Sequence, residues 1–324
     1  MAGLVEGKWV DTLPAEEEVG KDGRFVREET RFRSVISPEP GAEFRAESGR
    51  YHLWVAYICP WASRTLAYRV LKGLEGVISV SYARPGLPKE GWTFGEGPDG
   101  PAEGGYPLHR LYCEHDPRYT GKVSVPVLWD KKSRRIVNNE SSEIIRILNS
   151  AFDGIADNRL DLYPEALHRQ IDRWNDLIYP GLNNGVYRAG FARSQDAYDE
   201  AVRQVFATLD TMEEQLALNR YLAGEYCTEA DWRSFTTLVR FDAAYHGAFK
   251  CNLRRIEDYP ALRNYLRELY QWPGIAGTVN FDQIKRGYWQ LTDKNRIVAI
   301  GPELDLTTPH DRGRLAGLGI MERS

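Results

Sequence analysis

The chain is poor in cysteine: it has four in 324 residues and no Cys-x-x-Cys pair. Cys59, Cys113, Cys227 and Cys251 are too widely spaced for a disulfide framework and are expected to be free thiols in a reducing compartment. No apolar run approaches the roughly 20 residues that cross a bilayer, which speaks against a membrane-spanning helix. Met1 to Lys8 hold no hydrophobic segment of signal-peptide type, so the expected location is the cytoplasm. Basic charge is not in excess. There are 42 Lys and Arg against 46 Asp and Glu, and a net charge of −4 argues against a nucleic-acid surface. A Gly-x-Gly-x-x-Gly after a strand, a Walker sequence and a His-Glu-x-x-His are all missing. His109-x-x-x-Cys113-x-His115 has metal-type donors but no fourth ligand at a familiar spacing, so no metal is expected. Internal repeats and low-complexity tracts are absent as well.

What is present is ordinary in bulk and informative in detail. Hydrophobic residues make up 42% and charged residues 27%, as in a soluble globular protein, and the length suits two domains. Eighteen Tyr and nine Trp allow a ring-lined pocket, and equally a well-filled core. Residues 1–48 are polar, punctuated by Gly and Pro, and read as an N-terminal arm. Residues 49–153 read as an α/β domain. A strand over Tyr51–Val55 leads to a helix over Trp61–Leu74, marked by Leu66, Val70 and Leu74 at four-residue spacing. A strand over Val77–Ala83 follows. Arg84–Lys122 is too long and too rich in Gly and Pro for a routine connection. Then come a strand over Val123–Asp130 that contains Pro126, a hairpin partner over Arg134–Val137, and a helix that runs on through Ile144–Asn149. This β-α-β, loop, β-β-α order is thioredoxin-like. After a linker near Gly154–Tyr163, residues 164–290 read as an all-α domain. Its helices are expected over Leu167–Tyr179, Ala197–Leu218, Trp232–Phe241, Ala261–Tyr270 and Phe281–Tyr288. Thr228-Glu229-Ala230-Asp231 forms a capping-box-like start for the third. Residues 291–324 are a mixed C-terminal tail.

The chemistry concentrates at Cys59-Pro60-Trp61-Ala62. Cys59 lies where a strand passes into a helix, and Pro60 suits the first helical position because its missing N–H has no partner there. A helix N-terminus lowers a thiol pKa from about 8.5 to roughly 3.5–7.5. Ala62 stands where a dithiol oxidoreductase has its second cysteine. A mixed disulfide on Cys59 must therefore be resolved by an external thiol, most simply glutathione. Proline inside a strand is unusual. Beside a reactive cysteine in this fold, a cis Val125–Pro126 bond would turn a backbone edge towards a peptide-like ligand. Glu140-Ser141 opens the next helix, whose free N–H groups suit a carboxylate. The Ser141 hydroxyl can add to them, and Glu140 can accept from an ammonium group. Alone, this pair would read as an ordinary N-cap.

Together these residues resemble the glutathione transferase superfamily, and in detail its Xi class, the glutathionyl-hydroquinone reductases. The resemblance covers nearly the whole chain. It rests on Arg50–Ala62, on Tyr119–Asp130, on Asn138–Ile144, on Asn183–Ala192 and on Arg286-Gly287-Tyr288, in that order. Two departures stand out: Ser63 where His is expected, and Lys122 where Arg is common. The resemblance implies a cysteine nucleophile at Cys59 and phenolic donors at Tyr187 and Tyr288. It implies glutathione contacts at Trp92, Lys122, Val125, Glu140 and Ser141. It further implies glutathione as co-substrate, no metal, glutathionyl-quinol substrates and a homodimer formed through the helical domain. On its own, each of these tyrosines would read as core and Trp92 as packing. Two other readings of the same chain stay open. One is a broader thiol transferase or dehydroascorbate-type reductase. The other is a non-catalytic binding protein on the same fold.

Overall fold

The computed structural model describes residues 2–11, 13, 19–20, 22–86, 89–156, 158–292 and 297–323. Parts of the arm, residues 87–88 of the long segment and residues 293–296 of the tail lie outside the described residues. The chain forms two compact units: Met1–Glu18 with Glu28–Arg159, and Val19–Arg27 with Leu160–Ser324.

The first unit opens with a hairpin of β1 (Gly3–Val5) and β2 (Lys8–Val10). Its two turn residues, Glu6 and Gly7, both have positive φ (46° and 73°), as a tight hairpin turn requires. A side chain at Gly7 would place its Cβ 2.0 Å from the Pro117 carbonyl oxygen, so only glycine fits. The main sheet has four strands, β3 (Tyr51–Val55), β4 (Ser79–Tyr82), β7 (Val127–Asp130) and β8 (Arg135–Asn138), in the order β4-β3-β7-β8. β3 and β4 are parallel, joined through α1 (Pro60–Leu71), and the other two pairings are antiparallel. This is the expected thioredoxin-like arrangement.

Leu53, Trp54 and Val55 are all buried, so β3 is covered on both faces. The long segment supplies part of the cover. It folds as β5 (Thr93–Gly97) and β6 (Gly100–Pro107) followed by α2 (His109–His115). Trp54 meets Phe94 edge-on at 4.9 Å and stacks on Tyr106 at 5.9 Å. α1 stops three residues before the expected Leu74. The Leu74 N–H bonds the Arg69 carbonyl at 2.8 Å, and Gly73 takes φ +62°, a left-handed glycine stop. α3 (Ser141–Ser150) buries Ile144, Ile145, Ile147 and Leu148 on one stripe.

The second unit carries a short β9 (Leu160–Asp161) and then helices α4 (His168–Ile178), α5 (Gly185–Gly190) and α6 (Gln195–Leu218). It continues with α7 (Glu229–Arg240), α8 (His246–Ala248), α9 (Pro260–Tyr270) and α10 (Phe281–Thr292). π turns over Tyr179–Asn183 and Phe241–Tyr245 follow directly on α4 and α7. Every residue of α7 is buried. The Asp231 carboxylate accepts from the Thr228 N–H (2.7 Å), the Leu222 N–H (2.9 Å) and the Tyr265 hydroxyl (2.8 Å). That completes the expected capping box and ties two neighbouring segments to the start of α7.

The tail is built into this unit. Buried Arg312 donates to the Leu216, Asn219 and Arg220 carbonyls at 2.6–2.7 Å, closing the C-terminal end of α6. A final strand, β10 (Met321–Glu322), pairs with β9. Among the described residues, no helix is long and apolar enough to cross a membrane.

Candidate active site

In the first unit, Cys59 is the N-cap of α1, with extended backbone (φ −80°, ψ 117°) and Pro60 at the first helical position. The cysteine is half-buried. Its thiol donates to the Val125 carbonyl at 3.5 Å, and the Val125–Pro126 peptide is cis, as the sequence reading anticipates. Ser63 donates through both its N–H (3.0 Å) and its hydroxyl (3.2 Å) to the Cys59 carbonyl. The departure from His at position 63 thus engages the backbone of the first helical turn.

The loop that carries Val125 is held by one buried phenol. The Tyr112 hydroxyl donates to the Ser124 carbonyl (2.9 Å) and accepts from the Ser124 N–H and the Asn139 amide, each at 3.2 Å. Asn139 immediately precedes Glu140, so Tyr112 couples the proline loop to the start of α3. Glu140 is the N-cap of α3 and accepts from the Ser142 N–H (3.0 Å) and the Thr30 hydroxyl (3.2 Å). Ser141 is buried, and its hydroxyl accepts from Arg64, whose guanidinium stacks 4.5 Å from the Trp61 ring. Arg64 thus joins the start of α3 to the helix that follows Cys59. Lys122 pairs with Glu28 at 3.2 Å. Trp92 is half-buried just before β5, and its carbonyl accepts from the Leu108 N–H.

In the second unit, the Tyr187 and Tyr288 hydroxyls lie 2.6 Å apart. The geometry adds a third phenol that the sequence reading missed: the Tyr245 hydroxyl is 3.1 Å from that of Tyr288. Burial pushes the phenols of Tyr245 and Tyr288 well above the ordinary tyrosine range, so both stay protonated at neutral pH. Phe249 packs against all three rings, at 5.3–5.4 Å. This is a short chain of phenols, half-buried at its Tyr187 end and fully buried at Tyr245.

The other cysteines have different surroundings. Burial pushes the Cys251 thiol up to about 12 and the Cys227 thiol well above its ordinary value. Cys113 is raised by burial and by Asp116. The sequence cluster around Cys113 is dispersed. His109 faces Glu90, the Cys113 thiol donates to the Gly7 carbonyl, and His115 Nδ1 accepts from the Ile136 N–H. Among the described residues, no group of three or more His, Cys, Asp or Glu could hold a metal ion.

His52, on the active-site strand, gives a pH prediction. Its ring nitrogens meet the Ser79 and Ser81 hydroxyls at 2.7 and 2.8 Å. Burial, helped by Lys131 and Arg69, lowers its pKa from 6.5 to about 4. The unfolded chain therefore binds this proton first. The stability due to neutral His52 is complete above pH 6.5 and drains away as the pH falls towards 4. Urea unfolding should show a loss of about 2 kcal/mol between pH 7 and pH 5 from this residue alone. His52→Gln should flatten that slope, and an unchanged slope would contradict the assignment.

The family model "Glutathione S-transferase, N-terminal domain" matches residues 58–151, and "Glutathione S-transferase, C-terminal domain" matches residues 195–268. Glutathionyl-hydroquinone reductase YqjG of Escherichia coli is 48% identical over 96% of this chain and 98% of its own length. Its glutathione-bound structure superposes with a TM-score of 0.84 at 46% identity, covering 96% of this chain and 99% of that one. Glutathionyl-hydroquinone reductase PcpF of Sphingobium chlorophenolicum is also 48% identical, over 92% of this chain and 96% of its own. A Xi-class transferase from Natrialba magadii matches with a TM-score of 0.88 at 45% identity over 98% of both chains. Likeness of this extent, in sequence and in backbone, leads to one conclusion: the chain belongs to the glutathione transferase superfamily, in its Xi class of glutathionyl-hydroquinone reductases.

Proposed function

We propose that this protein uses glutathione to reduce glutathionyl-hydroquinones to hydroquinones through a Cys59–glutathione mixed disulfide. The observation that carries the reading is the placement of Cys59 as the N-cap of α1, with its thiol directed at the Val125 carbonyl. In this reading the cysteinyl-glycine backbone of glutathione lies along Val125. Its γ-glutamyl end meets the Ser141 hydroxyl, Glu140 and the positive N-terminal end of α3. Trp92 covers the tripeptide, and Lys122 adds a positive charge for a carboxylate.

The reaction has two steps. The Cys59 thiolate attacks the glutathionyl sulfur of the substrate, a sulfur–sulfur bond forms, and the carbon–sulfur bond breaks. An aryl carbanion is a poor leaving group, so the substrate reacts as its keto tautomer and the electron pair flows onto the ring oxygen. Tyr187 and Tyr288 hydrogen-bond to that oxygen as the charge develops. The ring takes up a proton and leaves as hydroquinone. A second glutathione thiolate then attacks the mixed disulfide, releasing oxidised glutathione and the Cys59 thiolate. The net change consumes one glutathione and yields one hydroquinone and one oxidised glutathione. The proton given up by the second thiol balances the one taken by the ring. The demand for reduced glutathione suits the cytoplasm, and the helical domain is the surface we assign to a homodimer.

A thiol transferase needs only Cys59 and a glutathione site, and has no use for a chain of phenols. We therefore expect kcat/KM on glutathionyl-menadiol to exceed that on hydroxyethyl disulfide by at least about tenfold. A preference for the disulfide would replace this reading with the broader thiol transferase.

A further inference from the structure

We infer that Arg27, in the Val19–Arg27 stretch of the N-terminal arm, is a positioning residue whose guanidinium strengthens the Tyr187 hydroxyl as a donor to the ring oxygen. The inference rests on the role given to Tyr187 above and extends it to a part of the chain that no sequence motif marked.

Four observations carry it. First, the Arg27 guanidinium carbon lies 4.8 Å from the Tyr187 ring centroid. Second, Arg27 Nε donates to the Asn184 side-chain oxygen at 2.8 Å. Third, the Asn184 backbone carbonyl accepts from the Tyr187 N–H at 3.1 Å and the Arg188 N–H at 2.9 Å. One residue therefore fixes both the cation and the helical turn that carries the phenol. Fourth, the stretch leading to Arg27 is itself fastened to this unit. The Arg193 N–H bonds the Gly23 carbonyl (3.0 Å), the Ser194 hydroxyl bonds the Asp22 carbonyl (3.0 Å), and Arg24 pairs with Glu200 (2.6 Å). Phe25 packs on Phe191 at 5.4 Å.

The physical consequence follows from the direction of charge flow. When the ring oxygen becomes negative, its hydrogen bond to Tyr187 shifts negative charge onto the phenol. A cation held over the face of that phenol stabilises the shift, and Arg27 is half-buried, where solvent screens the effect less than at a free surface. The chain Tyr245, Tyr288, Tyr187 acts in the same sense from the buried side. No bond forms or breaks at Arg27, and it gives up no proton.

The test uses the full-length protein with Arg27→Met, Arg27→Gln and Arg27→Lys, each made in the wild-type and Tyr187→Phe backgrounds. Two neutral replacements are included so that one keeps the arm seated, as thermal unfolding will show. With glutathionyl-menadiol, the neutral variants should lose about tenfold in kcat, Arg27→Lys should recover most of it, and KM for glutathione should stay near its original value. Turnover of hydroxyethyl disulfide, which develops no ring oxyanion, should not change. In the Tyr187→Phe background the same substitutions should cost less than about twofold, because the group they act through is gone. Equal losses in both backgrounds, equal losses on both substrates, or no loss at all would each overturn the inference. Wild-type protein inactive on the aryl thioether would defeat the functional reading itself. An active wild type with unaltered Arg27 variants would defeat this inference alone.

Discussion

Cys59→Ala is expected to abolish turnover of glutathionyl-menadiol, with a loss of at least ~10³-fold in kcat. The expectation follows from the absence of a substitute nucleophile among the other three cysteines. Cys227 and Cys251 are buried, and their thiols are held far above neutral pH. Cys113 is raised as well, and its thiol is engaged with the Gly7 carbonyl. Cys59→Ser should retain at most a trace, since an alcohol is scarcely ionised where a thiol at a helix start is. Steady-state assay with saturating glutathione reads both variants directly. Full activity in Cys59→Ala would exclude the mixed-disulfide mechanism. Glutathione affinity in this variant should stay close to that of the wild type, because the side chain removed is not one of the groups assigned to hold the tripeptide.

The second large effect lies in the helical domain. Removing both phenols, in Tyr187→Phe with Tyr288→Phe, should lower kcat on the aryl thioether by about 10²–10³-fold, the usual worth of an oxyanion donor. The two single losses should not multiply. The hydroxyls share one hydrogen bond of 2.6 Å, so each variant already disables part of the same chain. Tyr288→Phe also leaves the buried Tyr245 hydroxyl without its neighbour at 3.1 Å. A stability cost of about 1–3 kcal/mol should accompany it, and thermal unfolding will separate that cost from the chemistry. Binding of glutathione and disulfide exchange at Cys59 should survive in the double variant. Unchanged aryl-thioether turnover there would remove the oxyanion role.

Much of this was legible in the sequence because local rules and the fold agree. The proline after Cys59 and the Thr228/Asp231 start each have a direct physical counterpart in the structure, and Leu66 is buried in α1 as its spacing with Val70 suggests, although Leu74 falls beyond the helix end. Where the reading fell short, the cause is specific. The β5–β6 hairpin was hidden because its strands hold Gly95, Gly97, Gly100, Gly104 and Gly105, which lack the side chains that mark a strand. Its strand formation comes from covering Trp54. Tyr245 escaped notice because it ends a π turn, where ordinary helical spacing no longer tells which way a residue faces. The stop of α1 at Leu71 depends on a backbone hydrogen bond across Gly73. Arg27 and Tyr112 act through contacts with residues far along the chain, which no window of sequence contains.

The fates of positions 63 and 122 follow the same logic. Ser63 spends its hydroxyl on the Cys59 carbonyl, a task that needs no imidazole. Lys122 keeps a positive charge, paired with Glu28, but lacks the two-pronged geometry of arginine.

One sulfur atom carries the account, and intact-mass analysis after exposure to oxidised glutathione tests it most directly. The account predicts one glutathione added per chain, reversed by reduced glutathione and absent from Cys59→Ala. A wild-type protein that gains no adduct, or a Cys59→Ala variant that gains the same one, would contradict it.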